Sequence, residues 1–197
     1  MPQNYWTRRY VLRGENLRLS IEKQAKRLRW KHRSTTKADH SKGIPFTEKW
    51  SAPEGVFFML VEDGLSGESC VMWGGADERV VTETAARACA DMDVWTLPEL
   101  LESLDEAESV PTVTKGVLRC GLGAPPEFDE NVFDRISSLL ASEISDLRAA
   151  AAWAITYNTW PEYRKPLERA FLSEKDQEVR AVLGSILESM DELGIGE

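Results

Sequence analysis

From residue 77 onward, apolar residues recur every three or four positions, the spacing that gives a helix one greasy face. The pattern predicts seven helices, over 77–92, 97–108, 112–122, 130–143, 145–158, 161–173 and 176–193. Pro98 and Pro161 stand at helix starts, where a missing N–H goes unused, and Gly121, Gly123, Pro125 and Pro126 mark a longer break. Before residue 77 the pattern changes. Leu17, Ile21, Ala25 and Leu28 form one stripe at i, i+4, i+8 and i+11, which predicts an amphipathic helix with Asn16 as its N-cap. Residues 34–45 are polar, broken by Gly43 and Pro45, and predict a loop. Residues 51–76 hold two short apolar runs around Asp63-Gly64 and Ser66-Gly67. They suit a small β-hairpin with strands at 56–62 and 70–73. A short buried helix, or an irregular segment, also fits, because six apolar residues do not define a period.

The helical part repeats itself. VTETAARAC from Val81, VTKGVLRCG from Val113, LRAAAAWAI from Leu147 and VRAVLGSIL from Val179 follow one another at spacings of 32, 34 and 32 residues. Shorter helices with apolar stripes lie between them. Each helix pair carries a face it cannot bury alone, so neighbouring pairs must stack. The fold expected is mostly α: a short α-solenoid of three to four stacked antiparallel helix pairs over 77–197. A basic N-terminal arm and helix over 1–50 and the 51–76 segment precede it. The arm's apolar stripe would cap the open end of the stack.

Residues 129–193 resemble HEAT-type repeats, including the short HEAT-like repeats of phycobilisome lyases. Asp146-Leu147-Arg148-Ala149 and Glu178-Val179-Arg180-Ala181 carry the resemblance, each opening the second helix of a pair, and the small residues 149–152 match the family's packing stripe. The resemblance implies that Arg148 and Arg180 are structural repeat positions, each pairing with an acid of the adjoining repeat. It also implies a non-catalytic module that binds other proteins, with the partner left open.

Charge divides the chain. Residues 1–50 carry 13 Lys and Arg against 4 Asp and Glu, a net +9; the remainder carries 11 against 29, a net −18. An acidic body repels phosphate backbones and favours basic partners. Glu99, Glu102, Asp105 and Glu106 load one helix with negative charge and form a candidate docking surface for a cation-rich partner. Trp153 is expected in the core, at a repeat junction. Tyr157 and Trp160, where the helix gives way to a turn, are expected to be exposed and to contact the partner.

Reactive chemistry is sparse. His32 and His40 lack the i, i+4 spacing of a zinc pair, Asp91 and Asp93 suit a solvated loop, and no nucleophile elbow, phosphate-binding loop or dinucleotide fingerprint is present. No cofactor and no metal are expected. Cys70, Cys89 and Cys120 lie 19 and 31 residues apart, which is no disulfide framework and suits buried thiols in a reducing compartment. The mean hydropathy of −0.36, apolar runs such as 56–61 that fall far short of a membrane span, and the lack of a signal-like apolar core near the N-terminus predict a cytoplasmic protein without membrane spans. The function expected is a non-enzymatic interaction module that binds, and inhibits, a basic protein such as a toxin, in the manner of an immunity protein or antitoxin. The alternatives are a HEAT-like DNA-acting enzyme or nucleic-acid binder, and a structural subunit of a larger assembly.

Overall fold

A computed structural model describes residues 4–196, with the side chain of His40 outside the described part. The chain divides into two compact units, Met1–Thr96 and Leu97–Glu197. Among the described residues no helix is long and apolar enough to cross a membrane.

The N-terminal unit overturns the expectation of a mostly α protein and of a solenoid. It is built on a six-stranded antiparallel sheet: β1 (Tyr5–Trp6), β2 (Tyr10–Val11), β3 (Lys31–Thr36), β4 (Phe46–Ser51), β5 (Phe57–Glu62) and β6 (Ser69–Gly75). The strand order is β1-β6-β5-β4-β3, and β2 also pairs with β6. Two helices complete the unit, α1 (Leu17–Arg27) and α2 (Glu78–Cys89). The β5–β6 hairpin turns through Asp63, whose carboxylate accepts from the Ser66 N–H and hydroxyl at 2.7 and 2.6 Å, and through Gly67 in the left-handed region at φ 70°.

Alternate residues of the inner strands face one core. Trp50, Phe58 and Trp73 lie in register across β4, β5 and β6, with ring centroids 5.4 and 5.0 Å apart, and Trp30 adds to Phe58 at 4.7 Å. Ile21 and Ala25 of α1, with Val81, Ala85 and Ala88 of α2, are buried in the same cluster. The stripe expected to cap a solenoid end therefore covers a sheet. The segment VTETAARAC, expected to be a repeat helix, lies on the sheet too, because its small buried residues fit the glycine end of β6. A Cβ at Gly75 would meet Val81 Cγ2 at 2.9 Å. Asn16 precedes α1 in a left-handed conformation and makes no side-chain cap. Residues 34–36, expected in a loop, belong to β3.

The C-terminal unit consists of α3 (Leu97–Asp105), α4 (Val110–Gly123), α5 (Glu130–Leu139), α6 (Ser145–Ile155), α7 (Arg164–Ser173) and α8 (Gln177–Glu192). α3 packs on α4, α5 on α6, and α7 on α8, while α4, α6 and α8 touch in series. The bare residues of α6 permit this. Ala150, Ala151, Ala152 and Ala154 are all buried, and Gly121 of α4 comes so close that a Cβ there would lie 2.6 Å from the Ala154 carbonyl oxygen.

Candidate protein-docking groove on the helical unit

Helix α6 is apolar nearly all round, and three neighbours cover three of its sides. The side left open carries Asp146, Ala149, Trp153 and Thr156, spaced i, i+3, i+7 and i+10. Trp153 therefore stands at the surface with 40% of its area exposed, against the expectation that it fills a core junction. A helix with alanine on every side has no sequence pattern to say which face turns outward; packing against its three neighbours decides it.

Trp160 corrects the companion expectation. It is buried, stacked on Tyr163 at 5.5 Å with rings 3° from parallel, and met edge-on by Phe128 at 5.4 Å. Its indole N–H donates to the Pro126 carbonyl at 3.0 Å, which ties the α6–α7 turn to the Gly/Pro break after α4. Tyr157 is half-buried against the same core. The two aromatics expected to meet a partner are thus structural or partly so, and the one expected inside faces out.

Trp153 does not stand alone. With Thr156 and Thr159 it forms one wall of a groove of about 400 Å³. Val182, Ile186 and Leu193 give the other wall its apolar surface, and Ala181, Ser185 and Ser189, at i, i+4 and i+8 on α8, are small enough to leave the space open. Leu193 is 69% exposed. An exposed tryptophan beside an exposed leucine and a hollow is the arrangement in which an interface places its central contacts. No sequence period marks this groove. The one usable signal was the small-residue spacing on α8, which looks the same in a close helix packing.

The surroundings are acidic. Residues 97–197 carry 9 Lys and Arg against 20 Asp and Glu, a net −11, whereas residues 1–96 carry 15 against 13, a net +2. The negative charge of the chain is therefore concentrated on the helical unit. Asp146 on the Trp153 stripe and Glu178, Glu188 and Glu192 on α8 are all exposed. Arg180 lies over the Phe171 ring at 4.9 Å. The acids expected to form a docking face on α3 do not line the groove. Glu102 and Glu106 are exposed and Glu99 is half-buried. Asp105 is held by both nitrogen arms of Arg135 on α5, at 2.8 and 2.6 Å, which keeps its carboxyl below the usual range and commits it to joining two helices.

Arg148 has a different task. Its guanidinium donates to both carboxylate oxygens of Glu174 at 2.6 and 2.7 Å, and also to the Ser142 and Glu143 carbonyls. Glu174, only 1% exposed at its side chain, also accepts from the Lys175 and Asp176 N–H groups. The Arg148 hydrogen bonds lower the Glu174 pKa to about 2. This cluster locks the α5–α6 connection to the α7–α8 connection.

No family model, no curated protein and no solved structure matches this chain.

The remaining chemistry is quiet. Among the described residues no three His, Cys, Asp or Glu side chains gather as a metal-holding group. Asp91 pairs with Arg27, and His32 contacts Glu48 and Thr35. All three cysteines are free thiols, pushed up to about 12, chiefly by burial. Thiols held that high are poor nucleophiles at neutral pH.

Proposed function

We propose that the protein is a non-enzymatic interaction module whose helical unit docks a basic protein in the α6–α8 groove. The observation that carries this reading is Trp153, 40% exposed at the edge of an apolar hollow on a unit of net charge −11. Indole is among the side chains that most often dominate an interface, and here it borders a hollow wide enough to receive a partner's side chain. The net negative charge of the helical unit would steer a cationic partner toward it and would disfavour acidic competitors. An immunity protein or antitoxin that neutralises a cationic toxin is the form this activity takes in the proposal. The resemblance of residues 129–193 to HEAT-type repeats supports a binding role for the two helix pairs concerned.

The test is affinity capture from the native host with the full chain as bait, beside a Trp153→Ala bait. The wild-type bait recovers a protein of basic isoelectric point at physiological salt, recovery falls as salt rises, and the Trp153→Ala bait recovers it poorly. Equal recovery by both baits would remove the groove from the site, and recovery of an acidic protein would remove the charge argument.

A further inference from the structure

The N-terminal unit carries a second charged surface, of the opposite sign. Between residues 23 and 37 the chain has seven Lys and Arg and no Asp or Glu. Two of the seven are engaged, Arg27 with Asp91 and Arg33 with the Ser51 hydroxyl. Lys23, Lys26, Arg29, Lys31 and Lys37 are exposed, and among the described residues none of their side chains makes a hydrogen bond or ion pair.

Arg29 adds an independent observation. It follows α1 at φ 57°, in the left-handed region that a helix end ordinarily gives to glycine. The backbone bonds of that cap are all present: the Arg29 N–H reaches the Lys26 carbonyl and the Trp30 N–H reaches the Ala25 carbonyl, at 3.0 and 2.8 Å. Glycine would make the same bonds without the strain. The Arg29 side chain is exposed and makes no hydrogen bond, ion pair or ring contact among the described residues, so no interaction within the chain offsets the strain of placing it there.

The third observation is the strand that follows. β3 is the terminal strand of the sheet, and all six of its residues are exposed. Its far side presents backbone N–H and C=O groups that no other strand of the sheet pairs. Basic side chains on such an edge, and the register shift between His32 and Ser34, keep a second copy of the same positive strand from adding to it. The same charges select a strand of opposite sign.

We propose that β3, with the C-terminal turn of α1, is a docking edge for an extended acidic segment of a partner protein, which lies along β3 and extends the sheet. Nucleic acid suits this edge less well. A phosphate backbone gains its affinity from a wide positive surface, and the chain as a whole carries −9. A peptide strand uses the free backbone groups, and phosphates have no matching ladder to offer. This edge belongs to the N-terminal unit and the groove to the helical unit, they share no residue, and their charges are opposite, so the two proposals stand or fall independently.

The experiment titrates the full chain with a fluorescent peptide of about eight residues alternating Glu with Val or Thr, the length of an ordinary strand. Two further peptides carry backbone N-methyl groups on every second residue, one in each register, and a single-stranded oligonucleotide of similar span serves as the competing polyanion. The acidic peptide binds, binding weakens with salt, and at least one methylated register loses it. Arg29→Gly and Lys31→Glu each weaken it about tenfold, while Arg29→Gly melts at a higher temperature than the parent because its turn is relaxed. Peptide binding that survives methylation in both registers overturns strand addition. Unchanged affinity in both variants overturns the assignment of the edge, and tighter binding of the oligonucleotide than of the peptide overturns the choice of a protein partner.

Discussion

Replacing Arg148 with alanine lowers the unfolding free energy of the protein by about 3–5 kcal/mol, read by urea denaturation at pH 7. The pair it breaks is not a surface ion pair, which would contribute under about 1 kcal/mol. Glu174 is 1% exposed at its side chain, and Arg148 satisfies both of its oxygens while covering two loop carbonyls. Alanine leaves a buried carboxylate with only the Lys175 and Asp176 N–H groups for partners. The double variant Arg148→Met with Glu174→Leu removes both charges and recovers only part of the loss, since those N–H groups and carbonyls then lack partners. The same pair sets an acid limit. Glu174 titrates near 2 in the folded protein against an ordinary value of 4.5, so its contribution of roughly 3 kcal/mol is complete above the ordinary value and is lost as pH falls from about 5 toward 2. In Arg148→Ala this acid-side decline is flattened. A wild-type-like profile in that variant would show that the pair does not hold the two connections together.

Gly121→Ala lowers stability by about 3 kcal/mol, at the upper end of ordinary overpacking. The added methyl would lie 2.6 Å from the Ala154 carbonyl oxygen and 3.0 Å from its Cα, so backbone would have to give way where α4 and α6 meet. Gly184→Ala is the control. Its methyl would meet only the edge of the Phe171 ring at 3.3 Å, a side chain free to shift, and the change stays within about 1 kcal/mol once alanine's helix preference is counted. Thermal denaturation of the two variants side by side separates close backbone approach from general sensitivity to a methyl group.

Most helices of the C-terminal unit are legible because they bury one face and so repeat every three to four residues; α6, apolar nearly all round, shows itself instead by its run of helix-favouring alanines. The sheet is not legible, for reasons that can be traced to particular strands. β3, KHRSTT, is an exposed edge with no apolar residue to alternate. β4, FTEKWS, does alternate, but the middle inward position is Glu48, so its apolar ends look helically spaced. Only the β5–β6 hairpin announced itself, and without partners it gave no reason to expect six strands. The 32-residue spacing then drew α2 into the repeat although it packs on the sheet. The site was half legible. Acidity and a wealth of aromatic residues around α6 are visible in the sequence, but the orientation of an alanine-rich helix depends on three packing neighbours, and that exchanges the places of Trp153 and Trp160. The left-handed turn at Arg29 has no sequence signal, because glycine is absent where glycine would mark it.

The proposed docking of a basic partner at Trp153 competes with docking on the acids of α3. Calorimetric titration of the captured partner into Trp153→Ala, and into a variant carrying Glu99→Lys with Glu102→Lys, tests it most directly. Both variants should be checked first for an unchanged melting temperature. The groove predicts an affinity loss of tenfold or more for Trp153→Ala, corresponding to about 1.4 kcal/mol or above, and a smaller, salt-sensitive loss for the α3 reversal. Wild-type affinity in Trp153→Ala together with lost binding in the α3 variant would contradict it and move the site to α3.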